Sequence, residues 1–165
     1  MLLFWKYFRF GEFMEYMLKD SIGYSINLVA TTVKTNFTKL LQSKCGIAAE
    51  QFATLKIIKE DDGVTQTRIA ELLGKDKTTV GRSIESLLKK GLLEREDIES
   101  DKRANRVVLT PKAEHILEIA IPLSQKFNET VKSKLSKEEV ETFFKVLDTI
   151  LKESQNMNIS KGNNR

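Results

Sequence analysis

Apolar residues recur along most of this chain at the spacing of a helix. Ile22, Ile26, Val29, Val33, Phe37 and Leu40 follow one another at intervals of 4, 3, 4, 4 and 3. That pattern predicts a long amphipathic helix ending near Cys45-Gly46. A second helix, about residues 49–59, buries Phe52, Leu55 and Ile58, and Asp61-Asp62-Gly63 forms a turn. Thr65 is placed to cap a third helix with Ile69, Leu72 and Leu73 as its apolar stripe, and Gly74 closes it. Asp76 caps a fourth, which runs to about Lys90 with Val80, Ile84, Leu87 and Leu88 on its inner face; Gly91 ends it.

The pattern then shortens to that of a hairpin. Leu92-Leu93 starts a strand, residues 106–109 are its return, and Ile98 to Asn105 form a polar loop. Thr110 caps the next helix, with Pro111 at the first helical position, where its missing N–H costs nothing. Ile116, Ala120, Leu123, Phe127 and Val131 extend its stripe to about Lys134, and Pro122 inside it predicts a kink or a local break. Ser136 to Glu139 is a capping box, with Leu135 and Val140 spaced for a hydrophobic staple. The last helix buries Val140, Phe143, Phe144, Leu147, Ile150 and Leu151, and residues 155–165 form a polar, disordered tail.

The expected fold is mainly α with a small β-hairpin wing: a winged helix-turn-helix flanked by N- and C-terminal dimerisation helices. The boundaries are 1–47 for an N-terminal arm and dimerisation helix, 48–110 for the winged helix-turn-helix, 111–154 for C-terminal dimerisation helices and 155–165 for the tail. The flanking helices carry more apolar residues than the winged helix needs. Meeting from opposite ends of the chain, they make a dimer interface; folding back as a local bundle is the alternative. Two symmetric half-sites require two reading heads ~34 Å apart, which favours the dimer.

Two helices joined by a short Gly-containing turn are how a protein lays one helix in a major groove. The face of the fourth helix opposite Val80, Ile84 and Leu87 carries Lys75, Thr78, Thr79, Arg82, Glu85, Ser86 and Lys89. Hydroxyls and amides at a helix start bind phosphate, and Arg pairs bidentately with guanine. Thr65, Gln66, Thr67 and Lys77 complete the candidates on the helix pair. A solvated face on a plain helix pair would show the same residue types, so the hairpin carries weight. A purely structural hairpin favours a tight Asn-Gly or Asp-Gly turn. This one has a longer tip with Asp101, Lys102 and Arg103. Arg suits a narrow, electronegative minor groove, and Asp101 can hold Arg103 in place through a charge-assisted bond.

The segment "TQTRIAELLGKDKTTVGRSIESLLKKGLLER", followed by Asp101-x-Arg103 and then Leu109-Thr110-Pro111-Lys112-Ala113, resembles the multiple-antibiotic-resistance regulator (MarR) family of winged-helix transcription factors. The resemblance extends more weakly over residues 21–154. Ala113 stands where the family usually has Gly, in a helical first turn where Ala is the better helix former. The resemblance implies a homodimer that binds a pseudo-palindromic operator in double-stranded DNA, most often as a repressor. It also implies release by a small ligand or an oxidant. Such a ligand is expected between the dimerisation helices and the winged helix, in a cleft bordered by Phe37, Phe52 and His115. A winged-helix module that binds protein and not DNA is the other function class, separated from the first by the basic wing tip.

Composition agrees with a one-domain soluble protein: 165 residues, 41% hydrophobic and 30% charged. A single Cys rules out a disulfide framework within the chain and suits a reducing cytoplasm. The net charge of +4 permits nucleic-acid binding without showing it. Residues 61–109 hold ten Lys or Arg and ten Asp or Glu, so DNA affinity requires that basic and acidic groups be segregated. One His and one Cys cannot build a typical zinc site. No nucleophile-base spacing, phosphate loop or dinucleotide fingerprint appears, so neither an enzyme nor a cofactor is expected. Some members of the family sense peroxide through a Cys near the start of the first helix. Cys45 falls near its end, so that role does not carry over. The opening "MLLFWKYFRFGEF" is too short to span a membrane and lacks a signal-peptide layout. It reads as extra packing on the dimer, or as sequence ahead of a start at Met14 or Met17.

Overall fold

The computed structural model describes residues 18–61, 63–97 and 105–159. The aromatic opening of the chain and the wing tip with Asp101, Lys102 and Arg103 lie outside the described residues. Six helices and one hairpin follow in the order α1 (Ile22–Cys45), α2 (Ala49–Glu60), α3 (Gln66–Leu73), α4 (Lys77–Lys89), β1 (Leu93–Asp97), β2 (Asn105–Leu109), α5 (Pro111–Lys132) and α6 (Lys137–Ile159), behind a 3-10 turn at Leu18–Asp20. Backbone contacts divide the chain into two units, one through Asn36 and one from Phe37 onward. In the first, residues 22–36 of α1 are exposed throughout, including Ile22, Ile26, Val29 and Val33 of the expected stripe.

The second unit holds the core. Leu41 and Ile47 join Phe52, Leu55 and Ile58 of α2, Ile69 and Ala70 of α3, and Val80, Ile84 and Leu87 of α4. Leu92, Leu93 and Val107 at the hairpin root and Ala113, Leu117 and Ala120 of α5 complete it. Thr54, fully buried, donates its hydroxyl to the Glu50 carbonyl at 2.9 Å and so carries its polar group inward at little cost. β1 and β2 pair antiparallel, with Leu93 opposite Leu109 and Glu96 opposite Arg106.

The helix ends follow their caps. Thr110 accepts from the Ala113 amide at 3.3 Å with Pro111 behind it. Ser136 and Glu139 exchange both bonds of a capping box, at 3.1 and 2.7 Å. Gln51 does a cap's work that Ala48 cannot: its Oε1 accepts the Ala48 amide at 3.2 Å. That oxygen also accepts from Lys90 Nζ at 2.9 Å, and Lys90 donates to the Gly46 carbonyl at 3.0 Å. The Lys90 carbonyl takes a bond from Lys112 Nζ at 2.9 Å. The end of α1 and the starts of α2 and α5 are thus tied to the end of α4.

Several expectations need correction. On α3 the buried neighbour of Ile69 is Ala70, while Leu72 is 50% exposed. On α1 the buried residue is Leu41, beside the expected Leu40. On α5 the inner face is Ala113, Leu117 and Ala120, and Val131 is exposed. α5 runs unbroken through Pro122. Pro122 and Glu118 are both exposed, a place where a helix carbonyl left by a missing N–H is tolerated at lower cost than in the core. α6 buries none of its described residues: Phe143 and Phe144 are 50% and 58% exposed. Its apolar stripe exists, with Val140, Leu147 and Ile150 half-buried and Phe143, Phe144 and Leu151 left exposed among the described residues. α6 also continues to Ile159, past the expected end at Ser154.

The depth of burial orders the effects of truncation. Leu87→Ala is expected to cost about 2–5 kcal/mol, as cavity-forming changes do, whereas Leu72→Ala should stay within about 0.5 kcal/mol. Urea unfolding of the two variants checks this, and equal losses would mean that α3 packs through Leu72 after all.

Candidate nucleic-acid interface

The site begins with two caps and a turn. Thr65 accepts the Arg68 amide at 3.2 Å and starts α3. Gly74, at φ 59° and ψ 38°, ends it in the left-handed region, where a side chain would be strained. Two residues later Asp76 accepts the Thr79 amide at 2.8 Å and the Thr79 hydroxyl at 2.6 Å. These bonds, the hydroxyl's first, hold the Asp76 carboxyl below the usual Asp range. Gln66 then crosses the turn: its Nε2 donates to the Lys77 carbonyl at 2.8 Å. Gly81 leaves it room, since a Cβ there would stand 2.9 Å from that nitrogen.

With Val80, Ile84 and Leu87 fixed inward, the opposite side of α4 is set. Thr78, Arg82, Glu85 and Lys89 recur at i, i+4, i+7 and i+11 and all are exposed. Lys75 and Lys77, also exposed, flank the start of the helix. Thr65 and Thr67 are exposed at the start of α3. Besides Thr65, whose hydroxyl caps α3, three candidates have other engagements. Thr79 is half-buried with its hydroxyl bound to Asp76, and the Gln66 amide is committed to the turn. Ser86 is turned toward α2, where it accepts from Gln51 Nε2 at 3.0 Å. Four residues on from Arg82 the helix has rotated by about 40°, enough to bring Ser86 beside its neighbouring helix.

Part of the balanced charge count is taken up in ion pairs on the same surface. Glu71 pairs with Arg68 at 3.1 Å, Glu96 with Arg106 at 3.6 Å, and Glu85 with Arg95. Asp76 is a cap. Lys75, Lys77, Arg82 and Lys89 have no acidic partner among the described residues. Among the described residues, basic groups without an acidic partner therefore gather around α4, with Asp76 the acid at its start.

The hairpin leaves the core at Leu93 and Val107, beyond which Glu94, Arg95 and Glu96 are exposed. Its root is pinned by the Thr110 hydroxyl, which donates to the Gly91 carbonyl at 2.8 Å. Sequence reasoning missed Gln51 and the Glu85–Arg95 pair. Gln51 stands three residues after Ala48, so half of a capping-box signal was present, but Ala at the cap position hid it.

The expected effector cleft is not assembled as named. Phe37 and Phe52 meet edge to face at 5.7 Å, and Phe127 lies 5.2 Å from Phe37. His115 is elsewhere: its side chain is 74% exposed, with Nδ1 3.5 Å from Glu118. It sits two residues from both Ala113 and Leu117, half a helical turn away from the buried face. An open depression of about 450 Å³ on α6 is lined by Glu138, Glu139, Thr142, Phe143 and Val146, none of them among the three. Burial raises the Cys45 thiol above its ordinary pKa, the opposite of what a reactive thiolate needs. Among the described residues no cluster of three or more His, Cys, Asp or Glu is placed to hold a metal ion. No described helix is long and apolar enough to cross a membrane.

Comparison with known proteins gives a consistent set of relatives. The MarR family profile matches residues 47–104. The chain is 31% identical over 97 residues to the transcriptional regulator HosA of Escherichia coli O127:H6, spanning 59% of this chain and 72% of HosA. It is 32% identical over 116 residues to the HTH-type transcriptional regulator BilQ of Clostridium symbiosum, spanning 70% of this chain and 81% of BilQ. A cysteine-to-serine variant of E. coli MarR, solved in complex with operator DNA, matches with a TM-score of 0.70 at 27% identity, covering 78% of this chain and 92% of that one.

Asp76 supplies a pH test of the site's scaffold. Its folded pKa is depressed, so its contribution is present above the unfolded Asp value of ~3.9 and is lost as pH falls through the lower folded value. Asp76→Ala should lower the urea midpoint at pH 7, and the gap to wild type should close below about pH 4. A gap that persists at pH 2 would show that the cap does not act through its carboxylate.

Proposed function

The chain belongs to the MarR family of transcriptional regulators, and on that premise we propose that it is a repressor that binds a pseudo-palindromic operator as a homodimer in the cytoplasm. The observation that carries this is the outer stripe of α4. Thr78, Arg82 and Lys89 are exposed in line, on a helix whose other face is locked into the core. A duplex groove is the surface that such a stripe, flanked by Lys75 and Lys77, matches in shape and charge. Thr65 and Thr67 stand ready for phosphate, and Gln66 and Thr79 act by shaping the turn. The wing tip, with Lys102 and Arg103 steadied by Asp101, is assigned to the adjoining minor groove.

The homodimer rests on apolar surface. Phe143, Phe144, Val146 and Leu151 of α6 are exposed, as are Ile22, Val29 and Val33 of α1. Side chains of this kind are buried in subunit contacts. Release by a small ligand requires that it prefer one arrangement of the reading heads over another. The aromatic group of Phe37, Phe52 and Phe127, which joins α1, α2 and α5, is its candidate seat, and His115 drops out of it.

Selection from a random duplex pool defines the operator, and binding is then followed against salt. Arg82→Ala should weaken operator binding by about 1–3 kcal/mol and relax one base position per half-site. Lys89→Ala should weaken all duplexes alike and lower the salt slope by about one. Truncation after Leu135 should shift sedimentation to the monomer and abolish tight operator binding. A chain that selects no duplex at low salt would instead be a protein-interaction module.

A further inference from the structure

Two elements that read DNA must be held at a fixed angle to each other. In this chain the core fixes α4 along its inner face but the hairpin only at its root. Ile84 is buried in α4, and Leu93 and Val107 are buried at the hairpin root. Beyond the root the hairpin is a two-stranded sheet, which on its own is marginally stable. The Glu96–Arg106 pair joins residues in register, so it zips the two strands together without setting how the hairpin leans. Arg106 also packs near Gly63, in the turn ahead of α3.

One described ion pair joins the wing to α4: Glu85, on the exposed stripe with Arg82 and Lys89, accepts from Arg95 Nη2 on β1. A carboxylate on that stripe is otherwise unfavourable beside phosphate. We propose that Glu85 and Arg95 form a strut that sets the angle of the wing against α4, and that Glu85 is therefore a positioning residue for minor-groove contact. This rests on the DNA-binding reading above.

The strut and simple electrostatics predict opposite signs. Removing a negative charge from a DNA-facing stripe tightens binding if Glu85 acts only through its charge. It weakens binding if Glu85 holds the wing. The probe is the duplex selected by the wild-type chain. Glu85→Ala is expected to bind it about five- to twentyfold more weakly, and Glu85→Gln, which keeps a hydrogen-bond acceptor for Arg95, to fall between the two. Hydroxyl-radical protection at the minor-groove flanks should be lost, while protection of guanine N7 in the major groove should persist. Amides of β1 and β2 should exchange faster in Glu85→Ala without DNA, at an unchanged unfolding midpoint. Equal or tighter binding with the flanks still protected overturns the strut, as does loss of the guanine protection together with the flanks. If the wild-type chain selects no duplex, the DNA-binding reading fails first; if it does and the variants match it, only the strut fails.

Discussion

The inward fixation of α4 by Val80, Ile84 and Leu87 is the constraint that the rest of the structure serves. Each such side chain contributes about 1.5–3 kcal/mol on burial, an upper estimate because unfolded chains already hide some apolar surface. Three of them on one face leave the helix a single rotational setting. The outer face is then dictated by helical geometry, with no further interaction needed to aim it. The bonds around Lys90 fix the remaining freedom, movement along the helix axis. They gather the end of α1, the starts of α2 and α5 and the end of α4 around two ammonium groups and one amide. A cation at the end of a helix is also favoured by its dipole, so Lys90 serves the C-terminal ends of α1 and α4 together.

Much of this architecture is written locally. Thr65, Gly74, Asp76, Thr110, Pro111 and the Ser136–Glu139 box each specify a helix boundary through chemistry that needs no tertiary partner, and each is found in that role. The inner face of α4 was equally legible, since four apolar residues at helical spacing leave little choice. What the sequence hid depends on neighbours. Ala70 is buried beside Ile69 while Leu72 points outward, a rotational setting of α3 that its short apolar run does not fix by itself. Ser86 looks like its neighbours on the polar side until Gln51, 35 positions earlier, is known to reach it. His115 was assigned to a cleft and the α6 stripe to a dimer interface, and among the described residues His115 and Phe143, Phe144 and Leu151 stay exposed.

The even charge count between residues 61 and 109 shows why composition alone is a poor guide to binding. Acids there are spent on caps and on local pairs: Asp76 at the start of α4, Glu71 beside Arg68, Glu96 across the hairpin. Such exposed pairs add little stability. Each pair removes an acid and a base together, so the field outside the protein is set by where the unpaired charges lie.

α6 is a helix of 23 residues whose Phe143, Phe144 and Leu151 stay at least half exposed among the described residues. In the proposed homodimer a second copy covers it, and completing the fold is then a second-order process in protein concentration. The amount of competent regulator then rises faster than the amount of polypeptide. At low copy number most chains would be incomplete and silent; above a threshold set by the dissociation constant, a modest rise in synthesis would fill the operator sharply. A gene controlled this way would respond to dosage as a switch, even with no cooperativity between binding sites.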